Sequence, residues 1–355
     1  MKNNKLLKDF QSIINKEIKN FFNKNNYLFL EYPKPIRTMV NMLEEYTLRG
    51  GKRIRAALMI NSYNLFNSEN LEDIYKLSIF IELIQSWLLI HDDITDHDDL
   101  RRGGPTFHKM YEKLASKYNF KDQADFGRNL AILGGDLISI FPIQLLTETN
   151  FDPKLKLKFI DYAYKKLADV GAGQIFDVIT SKSTKYTEED IIKIHELKTA
   201  TYTFELPIYT GALLGGAEQN ELIILTEYAK NAGIAFQIRD DILGMFGNEE
   251  KLGKPINSDI EEGKKTLLIL HALKNSDKKQ KNILNELYGR KNLTLTEANK
   301  VRTIIKQTNS LDYSIKLCKN YIQKAKTSLS KSKYKSSHNW NFLYTLAEYI
   351  LLREE

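Results

Sequence analysis

Apolar residues recur at the spacing of an α-helix along most of this chain. Near the start, Leu6, Phe10 and Ile13 fall on one helix face. The stretch from Leu71 to Asp98 is apolar nearly all round, which predicts one long, buried central helix. We find no strand-rich block, short repeat or clear domain boundary. The pattern therefore predicts an all-α protein in which residues 1–355 form a single domain.

Capping and helix-breaking residues indicate where further helices begin and end. Thr187 precedes three acidic residues and is a predicted N-cap, and Thr294, followed three residues later by a glutamate, is another. Leu206-Pro207 predicts a kink or an interruption. A second strongly apolar helix is predicted from Glu221 to about Leu243, and a loop from Gly244 to Lys265.

The composition is that of an ordinary globular protein and excludes several classes. Of 355 residues, 42% are hydrophobic and 27% charged, and the net charge of +7 is spread along the chain, so we expect no nucleic-acid partner. Cys318 is the single cysteine, which excludes an internal disulfide and is typical of the reducing cytoplasm. The first residues lack the apolar stretch of a signal peptide. No run approaches the roughly 20 apolar residues of a membrane span, so we expect no transmembrane segment.

Two groups of aspartates lie about 150 residues apart. The first contains Asp92, Asp93 and Asp96, and the second contains Asp240 and Asp241. Asp92 and Asp96 are four residues apart and therefore share a helix face. Each group is expected near the C-terminal end of an apolar helix, where the helix dipole disfavours anions, so metal binding explains these residues better than helix stability does. Since Mg²⁺ prefers oxygen ligands and shares its shell with substrate phosphates, the sequence predicts a diphosphate held through Mg²⁺.

Basic residues flank both acidic groups and suit a phosphate ligand. In the segment GGKRIR, two glycines precede Lys52 and Arg55, which would reach one anion together on an opening helix. Arg101 and Arg102 follow the first acidic group and are expected to point to different sides, which suits two separate diphosphates. Lys198-Thr199 offers an ammonium and a hydroxyl. Five of the eleven arginines lie in these segments, and a guanidinium matches phosphate oxygens as lysine cannot.

The segments that carry these residues resemble the trans-isoprenyl diphosphate synthases in order and spacing. They are GGKRIR, HDDITDHDDLRRGGPT, GAGQIFD, KTATYTFELP, FQIRDDILG and GKPINSDIEEGKK. The resemblance extends from about residue 37 to 272, ahead of C-terminal helices in 273–355, and is greatest to archaeal-type geranylgeranyl diphosphate synthases. It implies an all-helical fold around a deep central cavity, a homodimer and three Mg²⁺ ions. The implied reaction condenses isopentenyl diphosphate with an allylic diphosphate.

The resemblance also implies a role for each motif residue. The positions that match Mg²⁺ ligands are Asp92, Asp96 and Asp240, and those that match supporting acids are Asp93, Asp241 and Asp259. The positions that match the allylic diphosphate site are Arg101, Lys198, Thr199, Gln237 and Lys254. Those that match the isopentenyl diphosphate site are Gly51, Lys52, Arg55, Gln85 and Arg102. Lys264 matches a residue near the metal-bound phosphates, and Gln174 and Asp177 match a polar pair lining the cavity. The implied catalytic set is Asp92, Asp93, Asp96, Arg101, Lys198, Asp240 and Asp241.

One departure from the family pattern concerns the second acidic motif. Its fifth position, often an aspartate in the family, is Gly244 here, so a full carboxylate set is not expected and Asp240 is expected to suffice. In the first motif Asp98 is an alternative ligand. The spacing from Asp92 to Arg101 favours Asp96 instead.

Trp87 and Leu88 are the candidate chain-length residues. They precede Asp92 by five and four positions, about one helical turn and roughly 5–7 Å below it, where a growing prenyl chain would extend. In the family that this chain resembles, an aromatic at the fifth position limits the product near C20, and two adjacent aromatics are typical of C15 synthases. The sequence favours geranylgeranyl diphosphate as the product, with farnesyl diphosphate as the alternative.

Three other functions stay open at this point. A class I terpene cyclase would share one acidic motif, but its second motif would mix Asn, Ser or Thr with Glu, and it would not need Lys52 and Arg55. A non-catalytic regulatory subunit of a prenyl synthase would commonly have lost one acidic group. A metal phosphohydrolase would need histidine ligands with partners dispersed along the chain.

Overall fold

A computed structural model of the chain describes residues 2–26, 29–247 and 257–353. Apart from one short hairpin, the regular secondary structure in these ranges is helical, which confirms the predicted all-α fold. The chain divides into two compact units, Met1–Ile60 with Ser68–Lys156 (unit 1) and Asn61–Asn67 with Leu157–Glu355 (unit 2). The single domain expected from the sequence stays a prediction.

Unit 1 is built around one long helix. Its elements are α1 Lys2–Asn26, α2 Lys34–Leu48, α3 Ile54–Asn64, α4 Leu71–Thr95, β1 Leu100–Arg101, β2 Gly104–Pro105, α5 Phe107–Lys117, α6 Gln123–Ile140 and α7 Pro142–Thr147. The last residues of α3 belong to unit 2. Helix α4 packs against α1, α2, α5, α6 and α7. It is buried on most sides, as its apolar sequence predicts.

Helix α4 ends at the first acidic motif. The last helical residue is Thr95, and the amide of Asp96 caps the helix by donating to the carbonyl of Asp92 at 2.8 Å. His97, with a left-handed φ of +58°, then turns the chain away. The helix is therefore shorter than the predicted span to Asp98.

A tight hairpin follows this turn. Leu100–Arg101 pairs antiparallel with Gly104–Pro105. Arg102 and Gly103 form the connection, with φ of +52° and +73°, as two-residue hairpin turns require. Because successive residues of a strand and its turn project in different directions, the two neighbouring arginines leave the hairpin towards different partners.

Unit 2 also has a long buried helix at its core. Its elements are α8 Pro153–Lys182, α9 Glu188–Ile194, a π-helix His195–Glu205, α10 Leu206–Leu214, α11 Gln219–Phe246, α12 Ser258–Glu261, α13 Leu267–Asn275, α14 Lys278–Leu287, α15 Leu295–Gln307, α16 Ser310–Leu329 and α17 His338–Leu352. The first residues of α8 belong to unit 1. Helix α11 packs against the π-helix and against α10, α16 and α17. It is the counterpart in unit 2 of α4 in unit 1.

Both predicted N-caps are confirmed. The Thr187 hydroxyl accepts from the amide of Asp190 at 3.1 Å, and the Asp190 carboxylate accepts in return from the Thr187 amide. Thr294 and Glu297 form the same reciprocal pair at the start of α15. Each capping box satisfies backbone donors that the first helical turn leaves open.

The predicted interruption at Leu206-Pro207 takes a different form. The π-helix occupies His195–Glu205 and leads directly into α10, where Pro207 has no amide hydrogen to donate to the preceding turn. The Thr201 hydroxyl donates to the carbonyl of Glu196 at 2.9 Å, five residues earlier. Stretches of π-helix are often found at functional sites, and this one carries Lys198-Thr199.

The loop after α11 begins later than the sequence predicts. Helix α11 continues to Phe246 and includes Gly244, and α12 lies at Ser258–Glu261. Residues 248–256, and with them Lys254, are outside the described ranges. Gly244 lies within the helix and packs closely against a neighbouring side chain, as described with the site below.

Two helical stretches are long and apolar enough to cross a membrane, Leu71–Thr95 and Gln123–Thr147. The first is mostly buried within the protein, as a core helix should be. The second is less than half buried and is divided at Phe141 between α6 and α7. Core helices of globular proteins pass the same test of length and composition, so neither stretch is clear evidence of a membrane span.

Candidate active site

Two arginines and a glutamine meet where α4 passes the glycine pair of unit 1. With its amide oxygen turned towards the cations, Gln85 accepts from Arg55 and Arg102, each at 2.9 Å. The Arg102 guanidinium lies against Gly51, where an added Cβ would be 3.2 Å from Arg102 Cζ. Gly51 also has a φ of +91°, which side-chain-bearing residues avoid. These four residues, Gly51, Arg55, Gln85 and Arg102, are called the arginine cradle below.

The segment before the cradle differs from the sequence expectation. Helix α3 begins at Ile54, so Lys52 precedes it and does not share a helix face with Arg55. Arg53 turns inward, where its Nη1 donates to Glu82 Oε2 at 2.9 Å and both side chains are 1% exposed. The reason is the left-handed backbone at Gly51 and Arg53, which postpones the helix. Arg53 is therefore a structural residue.

The positive charges in and around the arginine cradle outnumber the negative ones. Burial lowers the pKa of Arg102 to about 10. Repulsion from Arg53 and Arg55 acts in the same direction, and attraction to Glu82 opposes it. Arg102 still carries its charge at neutral pH. An anion that accepted hydrogen bonds from Arg55 and Arg102 would relieve this repulsion, so the cradle is suited to bind one.

The outer carboxylates of the first motif lie at the end of α4. Asp92 and Asp96 are partly exposed and one turn apart on the helix. Asp98, the alternative ligand, accepts from Arg101 Nη2 at 2.7 Å. Asp92 and Asp96 thus share one helix face, while Asp98 is engaged in an ion pair beyond the helix.

Asp93, between them in sequence, is fully buried. It accepts from the Tyr46 hydroxyl at 2.7 Å and from Arg101 Nε at 2.7 Å, with Arg101 Nη2 also in contact. Burial raises the pKa of Asp93 to about 6, although Arg101 and Tyr46 oppose the rise. Burial disfavours the charge of Arg101, but Asp93 and Asp98 reverse this and raise its pKa above the usual range. Asp93 therefore fixes Arg101 in place.

Glycines on two helices hold the π-helix of unit 2. A Cβ added at Gly173 of α8 would lie 2.6 Å from the backbone nitrogen of Lys198. A Cβ at Gly233 of α11 would lie 2.5 Å from Ala200 Cα. The backbone around Lys198 and Thr199 is thus held between two helices that approach it closely, which limits its movement.

The side chains of this π-helix pair with residues named in the sequence analysis. Lys198 Nζ lies 2.8 Å from Asp177 Oδ2 of α8. The Thr199 hydroxyl donates to Gln237 Oε1 at 2.7 Å, and Gln237 Nε2 donates to Asp241 Oδ1 at 2.9 Å. One hydrogen-bonded chain therefore connects the π-helix to the second acidic motif.

Asp241 is the buried aspartate of that motif. Besides Gln237, it has Lys264 Nζ at 3.4 Å from Oδ1 and His195 Nε2 at 3.1 Å from Oδ2. Burial alone would raise the pKa of Asp241, but Lys264, His195 and Gln237 outweigh it and hold the pKa below the usual range. Asp241 is therefore a buried anion that Lys264 and its hydrogen-bond partners stabilise.

Asp240 and Gly244 occupy the remaining positions of the second motif. Asp240 is partly exposed and forms an ion pair with Arg353, the residue that follows α17. Gly244 packs against the carboxylate of Asp259, and a Cβ added there would overlap Asp259 Oδ2. Asp259, itself buried, thus brings a carboxylate beside the position where the family often has a fifth aspartate.

The chain-length candidates lie within one helical turn of Gln85 in the arginine cradle. Trp87 and Leu88 are both partly buried. The Trp87 ring makes an edge-to-face contact with His91, at 6.4 Å between centroids. His91 in turn packs against Gly135 of α6. Trp87 therefore lies on the side of α4 that leads towards α6.

The carboxylates fit Mg²⁺ in chemistry but form no closed site by themselves. Asp92, Asp96 and Asp240 supply hard, partly exposed oxygen donors. Within residues 2–26, 29–247 and 257–353, no group of three or more His, Cys, Asp or Glu side chains is arranged to hold a metal ion. A hard cation held by such oxygen donors completes its shell with water and substrate phosphate.

Three residues at this site were missed by the sequence reasoning. Tyr46, His195 and Arg353 each contact an aspartate of the two motifs. Tyr46 and Arg353 lie far from their partners in sequence, and no local pattern marks them. His195 precedes Lys198 by three positions, so a search for side chains near that lysine would have found it.

Comparisons with known proteins identify the family of this chain. The family model described as polyprenyl synthetase matches residues 36–307. This chain belongs to that family. A geranylgeranyl diphosphate synthase of Sulfolobus acidocaldarius is 34% identical over 308 residues, which are 86% of this chain and 88% of that protein. A farnesyl diphosphate synthase of Geobacillus stearothermophilus is 36% identical over 237 residues, 65% of this chain and 74% of that protein.

A solved structure extends the likeness of this polyprenyl synthetase to the whole fold. It is a geranylgeranyl pyrophosphate synthase from Corynebacterium glutamicum, complexed with isoprenyl diphosphate and magnesium. The TM-score is 0.92 at 26% identity, over 97% of this chain and 99% of that one. The resemblance inferred from the sequence motifs is therefore confirmed at the level of family and fold.

Proposed function

We propose that this polyprenyl synthetase condenses isopentenyl diphosphate with an allylic diphosphate, and that its product is geranylgeranyl diphosphate. Family membership supports the reaction. The Sulfolobus relative, which bears that product in its name and covers 86% of this chain, supports the product. The farnesyl diphosphate synthase relative covers 65% and supports the shorter product as the alternative.

One observation carries the proposal. Helix α4 bears Gln85 of the arginine cradle and, seven residues later on the same face, Asp92. Seven residues correspond to roughly 10 Å along a helix axis. An anion site and a metal-binding carboxylate at this separation suit two diphosphate substrates that lie side by side. A terpene cyclase, with one diphosphate substrate, would not need the cradle.

In this proposal the cradle holds isopentenyl diphosphate. Arg55 and Arg102 donate to its phosphate oxygens, and Gly51 lets the backbone approach closely. Lys52 adds a further cation from the segment before α3. The repulsion between the buried guanidiniums decreases when the substrate binds, which favours binding of a doubly phosphorylated anion.

The allylic diphosphate is assigned to the acidic motifs and their cations. Asp92, Asp96 and Asp240 are the proposed ligands of Mg²⁺, with three ions expected. Bound Mg²⁺ would supply positive charge to the departing diphosphate. Four cations are expected to orient that diphosphate: Arg101, Lys198, Lys254 and Lys264. The polar side chains of Thr199 and Gln237 are expected to assist them. Asp93 and Asp241 hold two of the cations, Arg101 and Lys264, in position.

The proposed reaction joins the two substrates in three steps. The allylic C–O bond breaks, and its electron pair leaves with the diphosphate. The double bond of isopentenyl diphosphate then attacks the allylic carbon at C1, which forms the new C–C bond. A proton is finally lost from the adjacent carbon, and the departing diphosphate accepts it. The Thr199 hydroxyl and Gln237 side chain would shield the developing cation from water.

A homodimer and a cytoplasmic location complete the proposal. Helix α6 exposes Ile132, Leu133 and Ile140 at 41%, 57% and 61%, which is unusual for side chains of this size. Helix α8 exposes Ile175 and Ile179 at 64% and 62%. A second copy covering such surfaces would remove them from water. Sedimentation equilibrium of the purified chain distinguishes a dimer from a monomer.

The decisive experiment supplies the substrates directly. The purified chain is incubated with Mg²⁺, labelled isopentenyl diphosphate and one allylic primer at a time, and the dephosphorylated products are separated by chromatography. We expect C20 products from the C5, C10 or C15 primer and none after chelation of the metal. Absence of condensation with every primer would refute the proposal, and a C15 limit would establish the alternative.

Substitution of Trp87 tests the assignment of chain length. Since an indole below Asp92 should block the growing chain, Trp87→Ala is expected to give products longer than C20. Trp87→Phe is the matched control, because it keeps an aromatic ring and should keep the C20 limit. Leu88→Phe should shorten the product to C15. An unchanged product distribution from Trp87→Ala would remove Trp87 from the assignment.

A further inference from the structure

The C-terminal end of α17 lies on the second acidic motif. Arg353 Nη2 contacts Asp240 Oδ1 and donates to the carbonyl of Phe236 at 3.1 Å. The Arg353 guanidinium also lies over the Phe236 ring, 3.8 Å from its centroid. In return, Arg239 donates from Nη2 and Nε to the carbonyl of Arg353, at 2.8 Å and 3.2 Å. Contacts from Phe236, Arg239 and Asp240, which lie within about one turn of α11, thus fix this arginine.

Arg353 depends on Asp240 for its counter-charge. The Arg353 side chain is 6% exposed, and the side chain of Asp240 is 42% exposed. A guanidinium buried this far is unfavourable unless a carboxylate and hydrogen-bond acceptors compensate. The Nε of Arg353 has no hydrogen-bond partner among the described residues. The carboxylate of Asp240 therefore supplies a large part of the compensation for burying this guanidinium.

We propose that Arg353 is the cation that neutralises Asp240 before Mg²⁺ binds, and that metal binding at Asp240 releases the end of α17. This rests on the proposed function, in which Asp240 is a Mg²⁺ ligand. A divalent ion on Asp240 would place two cations on one carboxylate, and their repulsion in a partly desolvated site is strong. The metal and Arg353 therefore compete for Asp240.

Competition of this kind makes two predictions that a purely structural contact would not. Removing the arginine charge should strengthen metal binding, since the metal no longer has to displace it. Conversely, metal binding should loosen the last turn of α17, because coupling between two binding events is reciprocal. A residue that only supported the fold would weaken metal binding when removed.

Manganese titration followed by electron paramagnetic resonance measures the first effect. Mn²⁺ takes the same oxygen ligands as Mg²⁺, and free Mn²⁺ is counted directly, with inorganic pyrophosphate in place of the substrate. We expect Arg353→Gln to bind Mn²⁺ about 5-fold more tightly than the unsubstituted chain. Arg128→Gln, which removes an exposed arginine–aspartate pair with Asp125, is the matched control and should leave the affinity unchanged.

Asp240→Asn separates the failure of this proposal from failure of the proposed function. If Asp240→Asn weakens Mn²⁺ binding while Arg353→Gln leaves it unchanged or weaker, competition is refuted and Asp240 remains a ligand. If Asp240→Asn has no effect on Mn²⁺ binding, the ligand assignment itself is refuted, and the competition with it.

Hydrogen exchange on the unsubstituted chain tests the release without any variant. Amides of residues 346–353 should exchange faster when Mg²⁺ and inorganic pyrophosphate are added, whereas those of α15 should be unchanged, because the proposal releases only the end of α17. Unaltered or slower exchange in residues 346–353 would overturn the proposed release even if Arg353→Gln failed to fold.

Discussion

The two acidic motifs share a sequence pattern but not an environment. In each, the first aspartate of the pair, Asp92 or Asp240, is partly exposed, and the second, Asp93 or Asp241, is buried. Neighbouring residues of a helix point about 100° apart, so one of two adjacent aspartates must turn inward when the helix is a core helix. The pair thus divides into an outer acid, which is the proposed metal ligand, and an inner acid that pairs with cations of the protein.

The inner acids differ in the charges that surround them. Asp93 has one cation, Arg101, which it shares with Asp98, and burial raises its pKa to about 6. Asp241 has Lys264 and His195 beside it, and these hold its pKa below the usual range. The same dipeptide therefore gives opposite pKa shifts, because neighbouring elements supply different counter-charges.

The largest effect on activity or stability is expected from removing the carboxylate charge at the outer or the inner position. Asp92→Asn or Asp240→Asn should lower kcat by about 10²–10³-fold, as loss of leaving-group stabilisation predicts. Asp92→Asn should change stability little, whereas Asp240→Asn also leaves the buried Arg353 without its counter-charge. Asp93→Asn should instead lower the thermal midpoint, because Arg101 loses its buried partner. Steady-state kinetics and calorimetry of each variant measure both effects.

Asp99→Asn is the matched control for these variants. Asp99 lies in the same segment with its side chain 73% exposed, and it should affect neither kcat nor the midpoint. If Asp92→Asn retained full activity while Asp93→Asn lost activity without loss of stability, the division into outer and inner acids would be wrong.

A smaller effect is expected at the fifth position, where the motifs differ in sequence. Gly244→Asp restores the common family residue but overlaps the Asp259 carboxylate, so it should destabilise the fold by about 1–3 kcal/mol. Gly171→Asp is the control in open space on α8. Urea unfolding measures the difference. The double variant Gly244→Asp with Asp259→Gly should recover most of the loss, and equal destabilisation by the two glycine variants would contradict the packing account.

The smallest effect is the pH dependence of stability, where the inner acids should differ in sign. Between the usual aspartate pKa of 3.8 and the raised value of about 6, folded Asp93 binds more protons than unfolded Asp93, so stability falls as pH rises through this window. Asp241 has the reverse relation, and its contribution is lost as pH falls below about 4.

Urea unfolding at intervals from pH 3 to pH 7 measures these slopes. Asp93→Asn should remove the decrease between pH 4 and 6, and Asp241→Asn should remove the increase at lower pH. Parallel curves for the two variants would show that their environments are equivalent, against the contacts seen here.

Much of the fold could be predicted because its signals are local. The helical period of the apolar residues, and caps such as Thr187 and Thr294, depend on residues within a few positions of one another. Helix ends were less predictable. The left-handed residues around Gly51 delay the start of α3, and α11 extends past Gly244, a residue type that usually favours a helix end.

By itself, the sequence determined the helical class, the family, and the residue types from which the proposed site is drawn, since spacing along a helix and the chemistry of carboxylates and guanidiniums are properties of short segments. Tertiary structure alone decided which aspartate of each pair turns inward and which cations stand beside it. Tyr46 reaches Asp93 across 47 residues, and Arg353 reaches Asp240 across 113. Burial and charge at a site depend on such distant contacts, which no local pattern encodes.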